Sequence, residues 1–143
     1  MKTLYTDHAT SVAGRDGYAK TDDGSLSVTL SRPGSGKPGT NPEQLFACGY
    51  SACFGGALEF AAKQKGIAVA EIKIESTVNL NQDDNGFNIS VVLNIILQGV
   101  DGATSHALVN AAHGICPYSK ATRGNIDVTL QVDGQPLDMK AAA

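Results

Sequence analysis

No stretch of this sequence concentrates Lys and Arg. Eleven basic residues against fourteen acidic ones give a net charge of -3. A chain without a basic patch has little with which to track a phosphate backbone, which sets nucleic acid aside as a partner. No apolar segment follows the opening Met1-Lys2-Thr3-Leu4-Tyr5-Thr6-Asp7, so a secretory leader is not expected. Long apolar runs are missing too. The nearest, Leu45 to Ala62, is broken by Gly49, Ser51, Gly55, Gly56 and Glu59, a poor membrane span. A cytoplasmic protein without a membrane partner is the expectation. Tryptophan is absent, but 42% hydrophobic and 17% charged residues are ordinary for a globular chain. The length, 143 residues, suits one domain over the whole chain, with about two-thirds of the unfolded surface buried in a single core.

Cysteine is sparse and odd in number: Cys48, Cys53 and Cys116. In a chain that is not exported this argues against a disulfide framework and leaves thiols that are inert, metal-bound or reactive. No Cys-x-x-Cys pair exists. His113 and Cys116 have ligand-like spacing, but Cys48 and Cys53 diverge on the helix expected for them, which works against a zinc site. Gly34-Ser35-Gly36-Lys37-Pro38-Gly39-Thr40 has the look of a phosphate loop, yet Pro38 stands where that motif needs Ser or Thr. It reads as a flexible connection within Ser31–Thr40. No Ser/His/Asp arrangement stands out, and His8 and His106 read as solvated surface residues.

What is present is periodicity. Ile72, Ile74, Val78 and Leu80 alternate with polar residues, and Phe87, Ile89, Val91, Leu93, Ile95 and Leu97 do the same beyond Asp83-Asp84-Asn85-Gly86. Val92 and Ile96 bury part of the second face. This predicts a long antiparallel hairpin around a tight turn. Leu26-Val28-Leu30 and Ile126-Val128-Leu130-Val132 should add strands, and Thr3 to Thr10 is a weaker candidate. Two helices are expected. The first runs from about Asn41 to Lys65, with Thr40 and Glu43 as a capping box, Pro42 in the first turn and Gly66 as its stop. Being apolar nearly all round, it should be buried on several sides. The second runs from about Gly102 to His113, and Cys116-Pro117 follows its end. This order predicts an α+β fold with antiparallel sheets packed on a long buried central helix plus a second helix.

Gly49, Gly55 and Gly56 each cost roughly 0.8–1 kcal/mol against alanine in a helix interior, which implies that something comes close there. Gly49, Cys53 and Gly56 share one stripe, so Cys53 stands on an uncrowded face. It reads either as a small core hydrophobe or as a thiol with work to do. Cys48 is five residues away on the same helix, roughly 8–9 Å between Cα atoms, beyond the ~7 Å reach of a disulfide. Cys116 can meet Cys53 only if the two helices pack, which local sequence does not establish. By residue type Phe46, Tyr50, Phe54 and the hairpin's Val and Ile residues fit plain core more readily than a substrate lining; any that face Cys53 would form an apolar slot that prefers bulky alkyl or lipid hydroperoxides over hydrogen peroxide.

Four segments together resemble the organic hydroperoxide resistance (Ohr) family of the Ohr/OsmC superfamily: Gly14-Arg15-Asp16-Gly17, Thr40 to Ala47, Gly49-Tyr50-Ser51-Ala52-Cys53-Phe54, and Cys116 to Val128. The resemblance covers nearly the whole chain, and its last segment favours the Ohr branch. Cys48, at a position usually alanine in that family, is a departure. The resemblance implies a thiol-dependent peroxidase that reduces organic hydroperoxides to alcohols, with Cys53 peroxidatic and Cys116 resolving. Arg15 and Glu43 match the family's polar pair. It also implies an intertwined homodimer, no metal or other cofactor, and recycling by a dithiol, typically the dihydrolipoyl group of a lipoylated protein. Helix rise supports an interface site: Glu43 and Cys53, ten residues apart, stand ~15 Å apart along the axis, so Arg15 and Glu43 would serve Cys53 of a second chain. The alternative is a non-catalytic dimeric binding module with inert buried thiols.

Overall fold

Short alternating segments near the start of the chain pair into a three-stranded antiparallel sheet. The structure, a computed structural model, describes residues 1–137. Strands β1 (Ala9–Val12), β2 (Tyr18–Thr21) and β3 (Ser27–Thr29) lie in that order. The strand expected over Thr3 to Thr10 therefore begins only at Ala9. Between β1 and β2 the chain reverses through Ala13 (φ 60°) and Gly14 (φ 54°), both left-handed, into a single 3-10 turn over Gly14–Asp16. Gly17 follows because a Cβ there would overlap the Val12 carbonyl. The Ser31–Thr40 connection is pinned at its ends by Ser31 N–H donating to the Thr40 carbonyl and Thr40 N–H donating to that of Thr29, both at 2.9 Å.

Contacts divide the chain into two units, one over Met1–Leu45 that contains this sheet, and one from Phe46 onward. Helix α1 (Pro42–Lys65) begins at the end of the first. Its cap differs from the expected Thr40–Glu43 box. Asn41 Oδ1 accepts from Gln44 N–H at 2.9 Å, and the Asn41 carbonyl accepts from Leu45 N–H at 3.2 Å. Asn41 is thus the N-cap, with Pro42 at the first helical position where no N–H is needed. Glu43 is left free for another partner.

In the second unit β4 (Glu71–Asp83) and β5 (Gly86–Gln98) form the expected hairpin, thirteen residues on each side, with Asp83 opposite Gly86. Val91, Leu93, Ile95 and Leu97 are buried, whereas Val92 and Ile96 are half-buried. Phe87 and Leu80, at the hairpin's far end, are exposed because it extends past the core. Helix α2 (Gly102–Ile115) is capped by Asp101, whose side chain accepts from Thr104 N–H at 2.7 Å. A six-residue helix α3 (Pro117–Thr122), not foreseen from the sequence, precedes β6 (Val128–Val132).

Strand β6 lies parallel to β5, so this sheet is mixed rather than wholly antiparallel. The two helices between them supply the crossover that parallel neighbours require. Asp133 (φ 51°) and Gly134 (φ 77°) then turn the chain into the short β7 (Gln135–Pro136), giving the order β4-β5-β6-β7.

Within the second unit one core combines Tyr50, Phe54, Leu58 and Ala61 of α1 with Val91, Leu93 and Ile95 of β5, Leu108 and Ala112 of α2, and Leu130 of β6. Each large apolar side chain buried there stabilises by about 1.5–3 kcal/mol. By length and composition α1 would suffice to cross a membrane, but its buried residues belong to this core. Within one chain its cover is a single stripe rather than several sides. Tyr50, Phe54, Ala57, Leu58, Ala61 and Ala62 are buried, while Ala52, Gly56 and Phe60 opposite them are exposed.

Candidate active site

Packing of α1 against the α2–α3 corner brings together two cysteines 63 residues apart in the chain, with their sulfur atoms 3.4 Å apart. Both are free thiols. Cys53 is half-buried in the middle of α1, and Cys116 is fully buried at the corner. The Cys116 N–H donates to the Ala112 carbonyl at 2.8 Å, closing α2, and its carbonyl accepts from Lys120 N–H at 3.0 Å, opening α3. Pro117 reinforces the corner, since it cannot continue α2 but suits the first position of α3. A disulfide would need the sulfurs to close to about 2.05 Å. Cys48 is exposed, and its carbonyl accepts a hydrogen bond from the Ser51 hydroxyl at 3.1 Å.

Burial pushes the Cys53 thiol above its ordinary pKa, and the neighbouring Cys116 adds to the rise. The backbone N–H of Tyr118 opposes both by hydrogen bonding to the Cys53 sulfur. That donor belongs to the first turn of α3, so a mid-helix cysteine receives from a second helix what its own helix cannot offer. The balance stays upward, which disfavours the thiolate within this unit. A nearby cation would be needed to favour it.

Gly49 gives α3 its room. A Cβ at Gly49 would stand 3.1 Å from the Tyr118 hydroxyl oxygen and 3.3 Å from its ring edge, whereas at Gly56 it would meet nothing within 4 Å. The two stripe-mates of Cys53 therefore differ: one is where an aromatic ring comes close, and the other faces open space. Phe46, Tyr50 and Tyr118 form a triangle with centroids 5.7–5.9 Å apart. Of the candidate lining residues, Phe46 keeps partial exposure, while Tyr50 and Phe54 are fully buried core members. Tyr118, which the sequence reading did not single out, is 39% exposed. Its signal was Pro117 itself, a proline positioned to start a helix as well as to end one.

Arg15 and Glu43 meet in the first unit. Arg15 sits on the tight 3-10 turn and donates through Nη1 to Glu43 Oε2 at 2.9 Å and through Nη2 to Oε1 at 2.6 Å. This is a bidentate fork, the strongest form of the pair. The Glu43 side chain is 15% exposed and that of Arg15 is 39% exposed. Hydrogen bonding to Arg15 holds the Glu43 carboxyl below the usual range, so the pair stays charged at neutral pH. The first turn of a helix also favours an acidic residue.

Among the described residues no three His, Cys, Asp or Glu side chains gather as metal ligands. His113 has a buried Nδ1 without a hydrogen-bond partner, and burial, with Arg123 nearby, lowers its pKa.

The OsmC-like protein family matches residues 34–131. The organic hydroperoxide resistance protein of Xanthomonas axonopodis pv. citri is 51% identical over 134 residues, covering 90% of this chain and 94% of that one. The crystal structure of the organic hydroperoxide resistance protein OhrB of Bacillus subtilis superposes with a TM-score of 0.86 at 47% identity, covering 91% of this chain and 99% of that one. The crystal structure of an organic hydroperoxide resistance protein from Elizabethkingia anophelis matches with a TM-score of 0.83 at 43% identity, covering 92% and 98%. The chain belongs to the OsmC-like family and, within it, to the organic hydroperoxide resistance proteins.

Proposed function

We propose that this protein is a cytoplasmic thiol-dependent peroxidase, acting as one domain, that reduces organic hydroperoxides to alcohols. The observation that carries the reading is the 3.4 Å approach of the Cys53 and Cys116 sulfurs. In the first step the Cys53 thiolate attacks the outer peroxide oxygen. The O–O bond breaks, the alkoxide takes a proton and leaves as alcohol, and Cys53 becomes a sulfenic acid. In the second, the Cys116 sulfur bonds to that of Cys53 and water leaves. A dithiol then reduces the disulfide by exchange, becoming a cyclic disulfide itself. We assign that role to a dihydrolipoyl group on a protein partner. The residues of the cycle need no metal or organic cofactor.

The upward-shifted Cys53 thiol needs a cation, and the Arg15–Glu43 fork is the arrangement suited to supply one. A carboxylate holding both guanidinium nitrogens fixes where the remaining charge points. Because helix rise separates Glu43 from Cys53 on one α1, we assign the fork to Cys53 of a second chain in a homodimer. The exposed Ala52, Gly56 and Phe60 face of α1 suits such a partner. Light scattering that finds a fully active monomer would contradict the dimeric site.

We assign the half-buried Phe46 and the exposed Tyr118 ring packed on it to the substrate side of the thiols, and an apolar lining of that kind favours alkyl and lipid hydroperoxides over hydrogen peroxide. With a dithiol as reductant, cumene hydroperoxide is expected to turn over at least about tenfold faster than hydrogen peroxide, a factor that modest apolar burial supplies. Equal rates would contradict the organic specificity. A binding module with inert thiols would turn over neither.

A further inference from the structure

The hydroxyl of Tyr50 takes no part in the chemistry described so far, yet it is fully buried one turn before Cys53 on α1. Its oxygen lies 3.0 Å from Ser119 Oγ and 3.2 Å from Thr122 Oγ1, both buried residues of α3. Thr122 Oγ1 donates in turn to the Tyr118 carbonyl at 2.9 Å. Three hydroxyls bring three protons. With the Thr122 proton on that carbonyl, Tyr50 donates to Thr122 and accepts from Ser119, so each hydroxyl uses its proton in the chain.

Such a chain does more than fill space. The rings of Phe46 and Tyr118 already pack on Tyr50, and dispersion of that kind tolerates sliding and rotation. Hydrogen bonds are directional and fix both. What they fix here is α3, and α3 begins on Cys116. Any rotation of the short helix moves the Cys116 sulfur relative to Cys53.

We propose that Tyr50 is a positioning residue for the resolving step: its hydroxyl, bonded to Ser119 and Thr122, holds the α3 corner so that the Cys116 sulfur stays in line with the sulfenic acid on Cys53. This rests on the assignment of Cys53 and Cys116 as peroxidatic and resolving. In the step itself the S–S bond forms, the S–O bond of Cys53 breaks, and the oxygen leaves as water with the sulfenic and thiol protons. No further oxidant enters, because the organic hydroperoxide has already supplied the oxygen.

The test treats full-length wild type, Tyr50→Phe and Ser119→Ala with one equivalent of cumene hydroperoxide in the presence of dimedone. The dimedone traps sulfenic acid, and quenched samples are weighed by mass spectrometry over time. Oxygen transfer to Cys53 should stay within about twofold of wild type. Condensation should slow about tenfold in each variant, the factor for one lost buried hydrogen bond, and trapped adduct should rise in the same proportion. The double variant should be no slower than the worse single one, because both cut the same chain. Variants that lower the melting temperature but divide between adduct and disulfide as wild type does would overturn the proposal. Ser119→Ala carries the test if Tyr50→Phe does not fold. A wild type that takes up no oxygen would instead overturn the assignment of Cys53, a different and visible failure.

Discussion

Cys53→Ser should lose organic hydroperoxide turnover by roughly 10⁴-fold or more, the scale on which removal of a nucleophile acts. The replacement is nearly isosteric and half-buried, so the fold should persist, with an unchanged melting temperature as the control. The loss follows from acid–base chemistry. A serine hydroxyl has no accessible anion near neutral pH, whereas even an upward-shifted thiol keeps a small thiolate fraction that a guanidinium can enlarge. Dithiol-coupled consumption of cumene hydroperoxide measures it. Full activity in Cys53→Ser would place the reactive group elsewhere.

Cys116→Ser should separate the two halves of the cycle. Oxygen transfer to Cys53 should proceed, but with no sulfur 3.4 Å away the sulfenic acid should persist, one oxygen heavier than the starting protein. Turnover with an external dithiol should drop on the order of 10²-fold, because a neighbouring thiol acts at a far higher effective concentration than millimolar reductant. Cys116→Ala serves as a packing control, since the site is fully buried. Turnover at the wild-type rate in both variants would show that Cys116 is not the resolving thiol.

The fold was legible where hydrophobic period and turn chemistry agreed. Alternation from Ile72 to Leu97 around Asp84-Asn85 fixes face and register together, because a one-residue slip would turn every buried residue outward. The parallel pairing of β6 with β5 was not legible. A five-residue apolar alternation carries no information about strand direction, and only the two-helix crossover decides it. Strand β7 was missed although Asp133-Gly134 is a hairpin signal, because only two residues follow in the strand.

The thiol pair shows the same division. Local pattern put Cys53 on a glycine-lined helix face and excluded Cys48, but whether Cys116 reaches it depends on how α2 packs, a contact across 63 residues. The family resemblance supplied that pairing; spacing did not. The capping reading failed instructively at Thr40, since Asn41 also fits the N-cap and takes it, leaving Glu43 for Arg15. The Tyr50–Ser119–Thr122 chain had no local signal at all, because hydroxyls 69 and 72 residues apart reveal nothing until the helices meet.

The most direct measurement is the intact mass of the wild-type protein after one equivalent of an organic hydroperoxide, followed by peptide mapping without reduction. Loss of two hydrogens, with the peptides containing Cys53 and Cys116 joined to each other, is the expected result. An unchanged mass, or a bridge that involves Cys48 in place of either, would contradict it.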